Sequence, residues 1–177
     1  MNPGREPDLS RALRPVPGFE RAVREVSSML SAAGIRHALV GALGANAYRN
    51  RPRTTEDIDF LVGDEAFESH PGGYVTMRVP VVEFDGIDVD QVPLTASLRI
   101  VEDTLNRAPV SNGVPIAPVE TIVVMKLLAG RSQDLADIEA IVGSGADREF
   151  LMAAVERTVP DRAHLLQRLF ENVDRSR

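Results

Sequence analysis

The sequence contains no cysteine, and no run of 18 apolar residues occurs anywhere in its 177 residues. The lack of cysteine excludes a disulfide scaffold, thiolate zinc sites and a cysteine nucleophile. The lack of a long apolar run argues against a transmembrane helix, and the N-terminal stretch is too charged for a signal peptide. We therefore expect a cytoplasmic protein with no membrane partner.

The charge balance is acidic: Lys and Arg number 20 against 26 Asp and Glu, which gives a formal net charge of −6. This balance argues against a broad, non-specific nucleic-acid surface but leaves room for a local basic patch. The hydrophobic fraction of 44% and charged fraction of 26% are those of an ordinary globular protein. A chain of this length can bury a substantial core.

Proline spacing and apolar periodicity divide the chain into three parts. Residues 1–18 carry prolines interspersed with arginine and predict a mobile or surface-draped arm. Residues 19–117 mix helix and strand patterns and predict the core, whereas residues 118–177 predict a C-terminal helical bundle. The fold class expected from this order is α/β (α+β), with a short mixed sheet flanked by helices.

Local signals place the individual elements. The sequence predicts helices over 19–33, 95–107, 119–129, 133–142, 148–157 and 163–173, and strands over 35–40, 57–62, 74–79, 81–84 and 87–92. Small residues over 41–47 predict a tight turn that opens a helix. Asp85-Gly86 predicts a two-residue hairpin turn, because both positions tolerate positive φ. Residues 63–72 are expected to be a loop with a short helical piece, and 110–117 a loop with a short strand.

The sharpest motif is Asp57-Ile58-Asp59. Alternation along a strand places the two carboxylates on one face, with Cα atoms roughly 6.5–7 Å apart. Two carboxylates at that separation repel each other unless a cation lies between them. Hard divalent cations such as Mg²⁺ bind oxygen ligands and keep coordination positions for substrate phosphates.

A two-metal phosphoryl- or nucleotidyl-transfer site needs a third carboxylate. Asp88 and Asp90 are the candidates, because they recur at period two in the strand that follows the predicted hairpin turn. We favour Asp90, which lies deeper in the strand. The alternative is that Asp57 and Asp59 form the solvent face of an edge strand; the Phe-Leu-Val run that follows them argues against it.

Residues before and after the acids could complete an anion site. Gly41 and Gly44 follow a predicted strand and would let backbone N–H groups approach a triphosphate, or they simply allow close helix packing. Arg53 and Thr55 could contact phosphate or the loop backbone. Of the neighbouring arginines, Arg51 is better interpreted as a solvated loop residue.

Lys126 lies in the apolar stretch Ile122–Ala129. A lysine there must either extend to the surface or meet an anion. Asp134 and Asp137, three residues apart on the next helix, could pair with Lys126 or Arg131, or could reach the site as auxiliary acids.

Other motifs are absent or weak. No P-loop, EF-hand or nucleophile-elbow motif is present. The three histidines lack metal-ligand spacing, and His37 is expected to be a surface or capping residue. A dinucleotide-binding unit is a competing interpretation, because a strand, a glycine-rich turn, a helix and a later acid follow one another. The Gly41-x-x-Gly44 spacing and the acids at the start of their strand argue against it.

The sequence resembles a known superfamily in two blocks: Val40-Gly-Ala-Leu-Gly-Ala-Asn-Ala47 with Arg53-Thr-Thr55-Glu-Asp57-Ile-Asp-Phe-Leu-Val62, and Pro118–Ile138. The first block is similar to polymerase-beta-like nucleotidyltransferases, whose signature is a Gly-Gly or Gly-Ser turn, a helix and an acid-x-acid strand. The R-x-T-x-D-[IL]-D spelling and the K-L-x-A-x-R-x-x-D-x-x-D-I segment resemble the minimal nucleotidyltransferases related to abortive-infection (AbiEii-like) toxins. The second residue of the glycine pair is Ala42 here.

The resemblance implies a sheet of nucleotidyltransferase type and an enzyme that moves a nucleoside monophosphate from an NTP to a hydroxyl or phosphate acceptor. It implies Mg²⁺ or Mn²⁺ as cofactor and catalytic metal ligation by Asp57, Asp59 and Asp90. Nucleotide binding is implied for Gly41, Ala42, Arg53, Thr55, Lys126 and Asp134. The acceptor could be a tRNA, a protein or a small molecule, and an antitoxin partner would accompany a toxin. The alternative is a non-catalytic nucleotide-binding or interaction module.

Overall fold

The computed structural model describes residues 5–94 and 102–176. The helices are α1 Leu9–Leu13, α2 Glu20–Ala32, α3 Gly41–Asn46, α4 Glu102–Arg107, α5 Val119–Ala129, α6 Ser132–Gly143, α7 Arg148–Thr158 and α8 Ala163–Arg175. The strands are β1 His37–Leu39, β2 Asp57–Val62, β3 Phe67–Ser69, β4 Val75–Met77, β5 Glu83–Phe84, β6 Ile87–Pro93, β7 Val110–Ser111 and β8 Val114–Pro115.

The main sheet has four strands in the order β1-β2-β6-β5. The central pair β2–β6 is parallel, whereas β1–β2 and β5–β6 are antiparallel, so the sheet is mixed. Helices pack against this sheet and α5 to α8 follow it, which confirms the predicted fold class. Two small hairpins, β3–β4 and β7–β8, lie outside the main sheet.

Strand β2 is the centre of the core. Ile58 and Phe60 are fully buried, and Leu61 and Val62 are buried as well, so the second half of the strand is covered on both faces. A run of β-branched and large apolar residues is what a strand needs when both of its faces pack. The strand therefore begins at the two acids, which are half-buried, and continues into the interior.

The predicted two-residue turn between β5 and β6 is confirmed. Asp85 has φ +53° and Gly86 has φ +78°, and both values lie in the left-handed region that a type I′ turn requires. The turn matches the right-handed twist of the flanking strands, so it fixes the register in which Phe84 pairs with Ile87. This register in turn fixes which β6 residues share a face with β2.

The expected N-terminal arm is wrong for residues 9–13. They form helix α1, in which Leu9 and Ala12 are fully buried and Leu13 is nearly so. Asp8 caps this helix, because its carboxylate accepts a hydrogen bond from the Arg11 N–H at 3.1 Å. The apolar side of this single helical turn joins the common core, which outweighs the breaking effect of the nearby prolines.

Three further expectations were incomplete. Residues 63–72 contain strand β3 in addition to the short helical turn, because Phe67 and its neighbours pair with β4. Residues 110–117 form the two-stranded hairpin β7–β8 rather than one strand. Of the helix predicted over 95–107, residues 102–107 are helical, and residues 95–101 lie outside the described part of the chain.

The last four helices fall within two residues of the predicted boundaries and pack on one another. Helix α5 is apolar almost all round because it packs against three other helices, α3, α6 and α7, and seven of its eleven residues are buried. Across the described ranges, no helix combines the length and apolarity that crossing a lipid bilayer requires.

Candidate functional site

Three carboxylates converge at one edge of the central strand pair. Asp57 and Asp59 of β2 lie beside Asp88 and Asp90 of β6, because the parallel register pairs 57 with 88 and 59 with 90. One oxygen each from Asp57, Asp59 and Asp90 lies within 4.8 Å of the others. Within the described ranges, this is the one such group of acidic or histidine side chains that could hold a metal ion. The predicted cluster is therefore formed.

Of the two acids on β6, only one lies close enough to Asp57 and Asp59 to share a metal ion with them. Asp90 joins the cluster, whereas Asp88, one pleat nearer the hairpin turn, does not. Both residues share the face of Asp57 and Asp59, so the difference arises from position along the strand. The sequence favoured Asp90 as the third carboxylate, and the structure brings Asp90 to the acid pair, while its chemical role stays a prediction.

The carboxylates of the cluster repel one another. Burial, followed by the charges of Asp57 and Asp90, raises the pKa of Asp59 to about 6, although Lys126 and Arg131 act in the opposite direction. A carboxyl held against two like charges is the arrangement that a divalent cation relieves. An all-oxygen donor set of this kind suits Mg²⁺ or Mn²⁺ and is unsuited to soft metals.

Gly41 lies directly against the side chain of Asp59. Its φ is +60°, and a Cβ placed on it would meet the Asp59 Oδ2 atom at 1.8 Å. No side chain other than hydrogen fits at this position, so backbone lies directly against the carboxylate. The glycine turn therefore lies beside the acids, while the predicted approach of its backbone N–H groups to a triphosphate stays a prediction. Ala42 lines the same cavity.

Thr55 supports the first acid. Its hydroxyl donates to the Asp57 Oδ1 atom at 2.6 Å, which helps to orient the carboxylate. The sequence suggested a contact with phosphate or with the loop backbone. In the structure the hydroxyl hydrogen is donated to Asp57, so Thr55 makes neither contact: its hydroxyl has no second hydrogen to donate to a phosphate, and only its acceptor lone pairs remain.

Lys126 faces the acid cluster from α5. It is buried with 6% exposure, and its Nζ atom lies 3.2 Å from Asp134 Oδ1 and 2.7 Å from Asp137 Oδ2. Of the two alternatives for this lysine, meeting an anion is the one realised. An ammonium has three N–H donors, so two are engaged and one remains for a ligand.

Asp137 is the central anion of this side. The carboxylate has no exposure, yet it accepts hydrogen bonds from Arg53 Nε at 2.8 Å, Arg53 Nη2 at 3.0 Å and Arg49 Nη1 at 2.7 Å. Burial opposes its ionisation, but the hydrogen bonds from Arg53 and Lys126 outweigh that effect and hold its pKa at about 2. One buried carboxylate thus organises three cations.

The arginines near the cavity differ in their partners and in their exposure, and Arg51 is solvated as predicted. Arg53 also donates to the Thr54 carbonyl at 3.0 Å, so it contacts the loop backbone as well as Asp137. The Arg131 guanidinium holds Asp134 at 2.7 Å while its own side chain stays 78% exposed. Arg51 is exposed. Burial opposes the charge on Asp134, but Arg131 and Lys126 outweigh it and lower the pKa of that carboxyl.

The acid cluster, Gly41, Thr55, Lys126, Asp134 and two of the arginines, Arg53 and Arg131, border a single cavity of about 720 Å³, whereas Asp137 lies behind its lining. Its lining combines the acids, the cations and an apolar wall made by Val92, Ile122, Met125 and Ala129. The cavity is large enough for a small ligand of nucleotide size. Each predicted site residue lines it: Gly41, Ala42, Arg53, Thr55, Asp57, Asp59, Asp90, Lys126 and Asp134.

The structure also overturns two other interpretations. Strands β1 and β2 are antiparallel, so the glycine turn between them does not belong to the parallel strand–helix–strand unit of dinucleotide-binding folds. His37 is a core residue rather than a surface one: its Nε2 lies 2.7 Å from the Ser27 hydroxyl and its Nδ1 lies 2.9 Å from the Ile35 carbonyl. Burial lowers the pKa of His37, which keeps it neutral.

Comparison with known proteins gives a limited result. None of the protein-family models matches the sequence, and neither does any curated protein. Among solved structures, the chain is similar to the crystal structure of an antigenic nucleotidyltransferase-like protein from Paracoccidioides brasiliensis. The TM-score is 0.47 at 17% identity, over 86% of this chain and 93% of that one.

Replacing Asp59 with asparagine is expected to stabilise the metal-free protein at pH 7.5 by roughly 2 kcal/mol, because it removes a carboxylate that burial and two neighbours disfavour. The folded-state pKa of about 6 lies above the unfolded value. The stability contributed by the protonated group is therefore complete below the unfolded pKa and is lost as pH rises through about 6.

The measurement is urea denaturation of both proteins in EDTA at pH 7.5 and pH 4. The Asp59→Asn advantage should shrink at pH 4, where the native carboxyl is already protonated. An equal difference at the two pH values would show that the strain on Asp59 is absent.

Proposed function

We propose that this protein is a metal-dependent nucleotidyltransferase. The observation that carries the proposal is the arrangement of Asp57, Asp59 and Asp90, with oxygens within 4.8 Å of one another, in a cavity whose other side holds Lys126 and Arg53. Acids that hold cations and a basic wall that holds phosphate are the two requirements of phosphoryl-type transfer.

Asp57, Asp59 and Asp90 would hold Mg²⁺ or Mn²⁺, because the donor set is all oxygen and its mutual repulsion calls for a cation. When bound, the metal supplies charge compensation on the transferring phosphate and lowers the pKa of the attacking group. Thr55 holds Asp57 in place for this task, and Gly41 leaves room beside Asp59.

The remaining side chains would bind and orient the nucleotide. Lys126 and Arg53 keep N–H donors for the triphosphate, while Asp134 and Asp137 fix their positions. In the transfer step an acceptor oxygen forms a bond to the α-phosphorus and the bond from that phosphorus to the bridging oxygen breaks. Pyrophosphate leaves, and Asp90 accepts the acceptor proton.

The acceptor in this proposal is a hydroxyl or phosphate group on a tRNA, a protein or a small molecule. The resemblance of the R-x-T-x-D-[IL]-D block to AbiEii-like toxins favours a toxin role with an antitoxin partner in the cytoplasm. Incubating the protein with labelled NTPs and fractionated lysate would identify which fraction becomes labelled.

The alternative is a nucleotide-binding or interaction module without catalysis. It would be favoured if the third acid pointed away from the pair, and the proximity of Asp90 to Asp57 and Asp59 supports the catalytic proposal instead. Ala42 favours the alternative, because it stands where the resembled signature has glycine or serine. The loss of a serine hydroxyl or of glycine's backbone freedom there would weaken nucleotide binding.

The test is isothermal titration of Mg²⁺–NTP into the wild type and the Asp57→Asn/Asp59→Asn variant. Titrating ATP, GTP, CTP and UTP in turn identifies the preferred base. We expect binding to the wild type and a loss of at least tenfold in affinity for the variant, because the variant lacks two of the three carboxylates that would hold the cation.

The matched control is Asp103→Asn/Asp161→Asn, which removes the same charge from two exposed positions. It should bind like the wild type. Equal nucleotide binding and equal transfer activity in the wild type and the site variant would refute the proposal.

A further inference from the structure

Asn46, the last residue of α3, is a fully buried polar side chain that no step of the proposed chemistry uses. Its Oδ1 atom accepts a hydrogen bond from the Arg53 backbone N–H at 3.0 Å. Its Nδ2 atom donates to the Arg53 carbonyl at 2.7 Å and to the Ala12 carbonyl at 3.4 Å. One amide group therefore pairs with both backbone polar groups of Arg53.

The two hydrogen bonds to the Arg53 backbone replace those that a neighbouring β-strand would make. Residues 47–56, which carry Arg53, have no helix or strand, and Pro52 offers no N–H of its own. A loop without helix or strand hydrogen bonds can adopt several backbone conformations unless side chains bind its backbone. Asn46 supplies those bonds at Arg53, which is the arginine of residues 47–56 that lines the cavity.

The same short helix also fixes the acids. Gly41 begins α3 and lies against Asp59, while Asn46 ends it and binds Arg53. The helix thus sets the distance between the carboxylate cluster and the arginine. The Arg53 guanidinium in turn donates a hydrogen bond to Asp137, which also accepts one from Lys126.

We infer that Asn46 is a positioning residue for nucleotide binding: it fixes the Arg53 backbone so that the guanidinium presents its remaining donors to the triphosphate. Three Arg53 hydrogen bonds go to Asp137 and Thr54, which leaves two of the five N–H donors of a guanidinium. This inference rests on the proposed function. It adds a residue outside the cavity lining, acting through Arg53.

The test compares Asn46→Ala, Arg53→Ala and the double variant, using whichever of the four Mg²⁺–NTPs binds the wild type best. We expect Asn46→Ala to lose about tenfold in affinity, with KM raised about tenfold and kcat lowered less than threefold. In the Arg53→Ala background the same substitution should change affinity less than twofold, because the group it positions is gone.

A purely structural role predicts a different pattern. Its effects would multiply in the double variant, and a matched control would show them too. Ser27→Ala is that control, because it also removes a buried hydrogen bond, the one to His37, away from the cavity. It should leave nucleotide affinity unchanged at a comparable loss of stability.

Two measurements protect the test against misfolding. Asn46→Asp keeps the acceptor for the Arg53 N–H and should retain more affinity than Asn46→Ala. Hydrogen exchange at the Arg53 amide reports the bond without any nucleotide: it should be slow in the wild type and at least tenfold faster in Asn46→Ala.

The outcomes separate the two proposals. If the wild type binds no Mg²⁺–NTP while Arg53 exchange still depends on Asn46, the proposed function fails and the loop-fixing bond stands. If the wild type binds nucleotide and Asn46→Ala binds it equally well, or if the two substitutions multiply, the positioning role is overturned.

Discussion

Asp90→Asn is expected to lower the nucleotidyl-transfer rate by at least about 1000-fold while the protein stays folded. The substitution removes one of the three carboxylates that meet within 4.8 Å and also the proposed proton acceptor. Because Asp90 is exposed, the asparagine creates no buried unpaired group, and the free energy of unfolding should change little. Steady-state transfer with the preferred NTP, with urea unfolding in parallel, measures both quantities.

Asp88→Asn is the matched control for this prediction. Asp88 lies two residues earlier on the same strand, shares the same face and is exposed, but it is outside the cluster. Its rate should stay within threefold of the wild type. Equal losses in the two variants would mean that general negative charge, rather than ligation by Asp90, is what the site needs.

Asp137→Asn is expected to destabilise the fold by about 3–5 kcal/mol, because it removes a fully buried counter-charge shared by one buried lysine and two partly buried arginines, and Asp134 remains for the lysine alone. The affected groups are Arg49, Arg53 and Lys126, each within 2.8 Å of this carboxylate. Chemical denaturation at pH 7 measures the loss. Because the pKa of Asp137 is lowered to about 2, its contribution is present above the unfolded pKa and is lost as pH falls towards 2.

Asp103→Asn provides the contrast. Its ion pair with Arg107 is exposed, and such pairs contribute no more than about 1 kcal/mol. A loss below about 1 kcal/mol for Asp137→Asn as well would count against the central place of this carboxylate. It would indicate that the three cations find other partners or solvent.

The acid cluster could be predicted because its geometry is local on each strand. Period-two alternation places Asp57 with Asp59 and Asp88 with Asp90, whatever the rest of the chain does. The hairpin turn at Asp85-Gly86 is equally local, since it depends on two backbone conformations. What the residues alone left open was the alignment of β6 on β2, which decides that Asp90 completes the group.

The basic side of the cavity was only partly predictable. The sequence marked Lys126 as a cation in need of an anion, and that need follows from burial in an apolar helix. It left open which carboxylate would hold Arg53, because Asp137 lies far along the chain and the pairing arises from the packing of α6 on α3. The double role of Asp137 had only one local signal, its spacing of three from Asp134.

Two errors have a common cause. His37 was expected to be a surface or capping residue because it lacks metal-ligand spacing. Residues 9–13 were expected in a surface-draped arm because prolines and arginines are interspersed through residues 1–18. In the structure each polar group finds a specific partner: His37 meets Ser27, and Asp8 caps α1. Tertiary partners remove the cost of burying such groups, and no single-sequence pattern records them.

The parallel pairing of β2 with β6 has a consequence for how the gene could change. The chain leaves β2 at Val62 and returns at Ile87, and the intervening β3–β4 hairpin lies outside the main sheet. Lengthening a loop by a few residues costs little free energy when its ends stay fixed. Insertions and deletions at the tip of this hairpin, around Gly72 and Gly73, should therefore be tolerated, and relatives with very different spacing between the two acidic motifs are to be expected.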